Sequence, residues 1–141
     1  MKALLFSTVT LIGIITFSSC KKTTASSPYY VKATINGVNV VYTGYTAAIN
    51  SNDGISVYGY NNNAINTADG ITLNYTYQPS NLFSGISANQ SGVEYGLYSS
   101  ITSTITAIDS ASISGTFSGT ISNFDSTKTE IITNGSFYVP F

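Results

Sequence analysis

Ala111-Ser112-Ile113-Ser114-Gly115-Thr116-Phe117-Ser118-Gly119-Thr120-Ile121-Ser122 alternates without a break. Ala111, Ile113, Gly115, Phe117, Gly119 and Ile121 fall on one side, and every residue on the other is Ser or Thr. Successive side chains of a strand point to opposite faces, so this period of two predicts a strand with one face in a core and the other in water. Gly115 and Gly119, both on the core side, predict a bend or a close approach of neighbouring chain.

Working outward, Ile101 to Ile108 is a second strand-like run, joined to the first through Asp109-Ser110. Near the start of the domain, Val31, Ala33 and Ile35 alternate with Lys32 and Thr34, and Val38, Val40 and Tyr42 share a face of the next run. Asn36-Gly37 lies between them, a dipeptide suited to positive φ at both central positions of a type I′ turn, so a tight hairpin is expected. Asn134-Gly135 stands in the same relation to Thr129–Thr133 and Ser136–Val139 and predicts a second hairpin. Turn-forming clusters at Asn50–Gly54, Asn61–Gly70, Gln78–Ser84 and Ser87–Gly92 cut out further strands at Tyr45–Ile49, Ile55–Tyr60, Ile71–Tyr77 and Val93–Ser99. No stretch carries helical spacing. About nine short strands with regular turns predict an all-β fold, an antiparallel β-sandwich or a small closed barrel, and we prefer the sandwich. An outer-membrane barrel needs an apolar outward band, which the hydroxyl face of the best strand does not supply.

The first 28 residues have a different character. Lys2 is followed by an apolar run from Ala3 to Phe17, then by Ser18, Ser19 and the only cysteine of the chain, Cys20. This is the order of a signal peptide, and the run is too short, and too interrupted by Thr8, Thr10 and Gly13, for the roughly 20 residues of a spanning helix. Lys21 to Pro28 offers no large apolar side chain and reads as a flexible tether. The expected organisation is a signal peptide at 1–19, the cysteine and a tether at 20–28, and a single domain at 29–141. A single cysteine leaves no partner for a disulfide within the chain.

Five lysines, six carboxylates and no arginine give a net charge of -1, which lacks the basic face that binding nucleic acid requires. Histidine is absent, so serine nucleophiles have no imidazole base, and transition metals lose their commonest ligand. Glu94 and Glu130 are the carboxylates expected within strands, but nothing in the spacing brings them together as a hydrolytic pair. Asn50-Ser51-Asn52-Asp53-Gly54 has its glycine too early for a calcium loop and reads as a turn. We therefore expect no catalytic residues, no metal and no cofactor.

Eleven tyrosines against no tryptophan leave one hint of binding. Tyr58 and Tyr60 fall opposite the Ile55 and Val57 face, followed directly by Asn61 and Asn62, and paired rings with amides suit a glycan or another neutral ligand. Tyrosine is equally an ordinary strand former, and Tyr75 and Tyr77 share the face of Ile71 and Leu73, as core residues do. The expected role is a non-enzymatic structural or interaction domain, with ligand binding through Tyr58, Tyr60, Asn61 and Asn62 as the alternative.

Phe17-Ser18-Ser19-Cys20 resembles a lipobox, with Phe17 where Leu is usual. Together with Ala33-Thr34-Ile35-Asn36-Gly37, with Gly115-Thr116-Phe117 and with Ile132-Thr133-Asn134-Gly135-Ser136-Phe137-Tyr138-Val139-Pro140, it is similar to a family of small Bacteroidota-type lipoproteins built on a domain of unknown function. The likeness spans both ends and not the middle; where that family often carries Trp after the first turn, this chain has Val40 and Val41. The resemblance implies a diacylglyceryl group on Cys20, a membrane partner reached through that lipid, and an outer-membrane location, which Lys21 and Lys22 in place of acidic residues turn toward the periplasm. It carries over no catalytic or binding residue. Asp109-Ser110-Ala111 and Asp125-Ser126-Thr127 resemble the O-glycosylation acceptor of such envelope proteins, with Ser110 and Ser126 as the sites; both triplets also read as plain Asp-initiated turns.

Overall fold

In the computed structural model, residues 27–50, 54–61, 69–76, 82–96 and 100–141 are described. Cys20, the 1–19 segment, most of the tether, Asn62 and Tyr77 lie outside them. The first hairpin forms as its sequence dictates: β1 (Tyr30–Ile35) and β2 (Val38–Val41) pair antiparallel around Asn36 at φ 48° and Gly37 at φ 82°. The remaining strands are β3 (Gly44–Ile49), β4 (Gly54–Tyr60), β5 (Gly70–Thr76), β6 (Phe83–Gln90), β7 (Val93–Tyr95), β8 (Ser100–Ile108), β9 (Ser112–Ser122) and β10 (Thr129–Pro140).

These ten strands build two five-stranded antiparallel sheets, ordered β2-β1-β10-β9-β8 and β3-β4-β5-β6-β7. The second is a simple meander. The first brings the two ends of the domain together, because β10 lies between β1 and β9. Neither sheet closes on itself, so the architecture is a sandwich and not a barrel. An isolated bridge between Tyr95 and Asn123, with the Gly96 amide donating to the Ser122 carbonyl at 3.0 Å, hooks the short β7 edge onto the end of β9.

Inward-facing residues of both sheets meet in one core. Val31, Ile113, Ile121 and Val139 of the first sheet, and Ile55 and Leu73 of the second, are wholly shielded from solvent. Aromatic rings cross the gap: Tyr75 of β5 lies 6.1 Å from Phe137 of β10 and meets Phe83 edge-on at 5.7 Å. Its hydroxyl is 2.6 Å from Ser103 Oγ on β8, so the polar tip is satisfied inside the sandwich. Burial pushes the Tyr75 phenol up to about 12, against a smaller pull downward from the Ser103 hydrogen bond. The β9 glycines act as expected. A Cβ on Gly115 would strike the Phe137 ring, and Gly119, at φ 140°, lies against the Ser100 carbonyl.

Three expectations are corrected. Asn134-Gly135 does not close a hairpin: β10 runs straight through it, with an extra residue between Ile132 and Gly135. Only Asn134 takes positive φ, at 52°, and the dipeptide forms a β-bulge. Pairing on both sides, to β1 and to β9, holds the chain extended, and folding back would have forfeited the partners of Ser136 to Pro140. Gln78–Ser84 and Ser87–Gly92 were expected as turns; 78–81 lie outside the described residues and Ser91-Gly92 does turn, but β6 occupies Phe83–Gln90, and only Ile86 and Ala88 of that strand are buried inward, a pattern too thin to stand out among Ser, Gly, Asn and Gln. Hydroxyl residues are not confined to water either: Ser112 and Ser122 at the ends of β9 are buried, with Asp109 and Thr129 as their partners.

Candidate functional site

β4 sits between β3 and β5, and its alternation sends Ile55 and Val57 into the core while Ser56, Tyr58 and Tyr60 take the outer face. Register decides what each tyrosine meets. Tyr60 stands between Gly44 and Gly70, and a Cβ on Gly44 would run into the Tyr60 ring, so the ring lies across the bare backbone of the edge strand. That is a packing role. Asn61 is used structurally as well: its amide donates to the Asp69 carbonyl at 2.9 Å, and its Oδ1 accepts from the Thr43 amide at 3.3 Å, tying the end of β4 to the corner before β3.

Tyr58 is placed differently. It is half-buried between Thr46 of β3 and Thr72 of β5, and Ser87 of β6 continues the row. In the next row the Asn50 amide donates to Ser56 Oγ at 2.8 Å and Ser56 Oγ donates to Asn74 Oδ1 at 2.7 Å, which satisfies the buried Ser56. Gly85 beside Asn74 leaves open space where a side chain would stand. The result is an uncharged hydroxyl and amide surface around one aromatic ring. Such a surface can hydrogen-bond a polar neutral molecule and stack on it.

A second polar group lies at one end of the sandwich and was not anticipated. Glu130 precedes Ile132 by two on β10 and so shares its inward side. Tyr95 of β7 hydrogen-bonds it, and Tyr42, at the corner between β2 and β3, feels the charges of both Glu130 and Asp69. Burial first, then the charges of Asp69 and Glu130, push the Tyr42 phenol well above its usual range. Burial, then hydrogen bonding and charge from Glu130, push Tyr95 up. Of the two, Tyr95 donates to the Glu130 carboxylate. Asp69 also accepts from the Ser91 amide at 2.8 Å, while Glu130 Oε2 is buried with no hydrogen-bond partner among the described residues. Among those residues no group of three potential metal ligands comes together. The sequence placed Glu130 within a strand, but adjacent Ile131 and Ile132 left its face undecided, and its two tyrosine neighbours come from distant segments. Glu94 is exposed on β7 and alternates with the buried Tyr95, so it and Glu130 face different ways and do not form a hydrolytic pair.

Ser110 and Ser126 are both exposed in turns. Asp109 Oδ1 accepts from the amides of Ala111 and Ser112 at 2.7 and 2.8 Å. Asp125 Oδ1 accepts from the Thr127 hydroxyl at 2.6 Å and its amide at 3.0 Å. These bonds hold both carboxyls below the usual aspartate value, through the backbone of Ala111 and Ser112 in one case and chiefly the Thr127 hydroxyl in the other. Each aspartate thus builds its turn and leaves the serine outward.

No family model, no curated protein and no solved structure matches this chain.

Proposed function

We propose that this chain is an exported lipoprotein, anchored in the outer membrane through Cys20 and facing the periplasm, whose β-sandwich works by contact with other envelope components and not by catalysis. The observation that carries the reading is the order Lys2, apolar run, Ser18-Ser19-Cys20, in which the only thiol of the chain stands where a lipobox cysteine stands. Each buried methylene of an acyl chain adds about 0.8 kcal/mol of anchoring, and two or more chains make it stable. Lys21-Pro28 then supplies a tether, and β1 begins at Tyr30. In cells fed a labelled fatty acid, the parent chain incorporates label and Cys20→Ala accumulates as an unlabelled precursor. Equal labelling of the two ends the proposal. Protease added to intact cells spares the protein; its digestion there would move it to the cell surface.

The second reading is a glycan or other neutral ligand on the Thr46-Tyr58-Thr72-Ser87 row, and the uncharged face around the Tyr58 ring favours it. Tyr58→Ala with unchanged thermal stability and lost glycan-array signal would support this reading. No signal from the parent chain removes it.

A further inference from the structure

A sheet edge carries a row of unpaired backbone donors and acceptors, and natural proteins usually blunt it with charge, proline or short length. Three edges of this sandwich differ from the fourth. β2 has four residues, β7 has three and carries Glu94, and β3 has six and starts under the Tyr60 ring. β8, the outer strand of the first sheet, has nine residues with no charge and no proline. Its one irregularity is the register shift between Ile105 and Ala107, which leaves Ser100–Ile105 regular.

Ile101-Thr102-Ser103-Thr104-Ile105 reads the same in both directions. Flanking it, Ser100 and Thr106 are both hydroxyl residues. Two antiparallel copies related by a two-fold axis at Ser103 therefore match like with like. Thr102 falls opposite Thr104 of the second copy on the exposed face, and Ile101 falls opposite Ile105 on the inner side, where both are half-buried in the single chain. Threonine pairs and β-branched apolar pairs are favourable cross-strand neighbours. Among the described residues, an open hollow of about 360 Å³ lies beside β8, bordered by Ile105, Ile108, Phe83 and Leu82, the last 63% exposed, and equally by polar groups of Ser103 and Thr104. Among the described residues this mixed apolar and hydroxyl surface is open beside the edge.

We propose that β8 is a self-association edge, where a second copy of this chain pairs antiparallel about Ser103 and joins the two outer sheets into one continuous sheet. A two-fold interface uses the same patch on both partners, and a palindromic strand is the simplest patch that satisfies this condition. A different extended partner would have no need of the palindrome. The bulge after Ile105 ends the paired stretch at both of its symmetry-related limits, which stops the edge from templating a longer stack.

The register is the test. Directly opposite residues in such a pair have Cα atoms about 4.5 to 5.5 Å apart, within disulfide reach, whereas a residue and its own copy displaced by two positions lie about 7 to 8 Å apart. Thr102→Cys and Thr104→Cys full-length chains are co-expressed and mildly oxidised, with the parent chain and its Cys20 as background. A disulfide-linked dimer is expected in the mixture and at background in either variant alone. No dimer in the mixture, or equal yields alone and mixed, overturns the proposal. Sedimentation of the full chain in detergent gives an independent readout: the parent runs as a dimer and Thr104→Lys, on the exposed face, as a monomer. A monomeric parent, or a variant that still dimerises, contradicts the pairing.

Discussion

Asn36-Gly37 and Asn134-Gly135 are the same dipeptide with opposite outcomes, one reversing the chain and the other letting it run on. At the first, both residues take positive φ, and no atom stands within 4 Å of the place a Gly37 Cβ would occupy. At the second only Asn134 does, and Gly135 is buried with the Phe117 ring and carbonyl against it. The two are close in the fold. Asn36 Oδ1 accepts from the Ile131 amide at 2.8 Å and its own amide donates to the Ile131 carbonyl at 2.9 Å, so the hairpin turn is stitched to β10 just before the bulge. The local preference for left-handed backbone is honoured at both asparagines, at φ 48° and 52°. What differs is the pairing available: the hairpin turn ends its strands, whereas β10 has a partner on each side beyond the dipeptide.

Substitutions at these four positions break the comparison in a definite order. Gly135→Ala places a methyl into Phe117 in a filled core and is expected to cost on the order of 3 kcal/mol, read as a lowered urea midpoint. Asn36→Ala removes the hydrogen bond to Ile131 and leaves alanine in a left-handed conformation, for about 2 to 3 kcal/mol in the same assay. Gly37→Ala meets open space and pays backbone strain alone, roughly 1 to 2 kcal/mol. Asn134→Gly keeps the bulge geometry and should fall within about 0.5 kcal/mol of the parent. A Gly135→Ala effect smaller than that of Gly37→Ala would show that the second dipeptide is a solvent-facing turn after all.

The same contrast explains which parts of the fold were readable. β9 was legible because burial follows a period of two through its middle, from Ile113 to Ser118, and the first hairpin because its turn residues act locally. The bulge was not, since it depends on β1 and β9 flanking β10 at the same level. β6 escaped because Ile86 and Ala88 are its only buried apolar residues. The outer face of β4 was placed correctly, but the lie of the Tyr60 ring over Gly44 depends on the β3–β4 register, which no single stretch encodes. Likewise Tyr42, Asp69, Tyr95 and Glu130 converge only through the topology. Individually they read as strand formers and turn residues.

At the opposite end of the chain from β10, the order Lys2, apolar run, Ser18-Ser19-Cys20 marks the proposed lipid anchor. The intact mass of the mature protein, purified from the membranes of its native host, tests it most directly. The account predicts a chain beginning at Cys20, heavier than its residues by a diacylglyceryl group and an amide-linked acyl chain. A chain beginning at Met1, or one carrying Cys20 as an unmodified thiol, would contradict it.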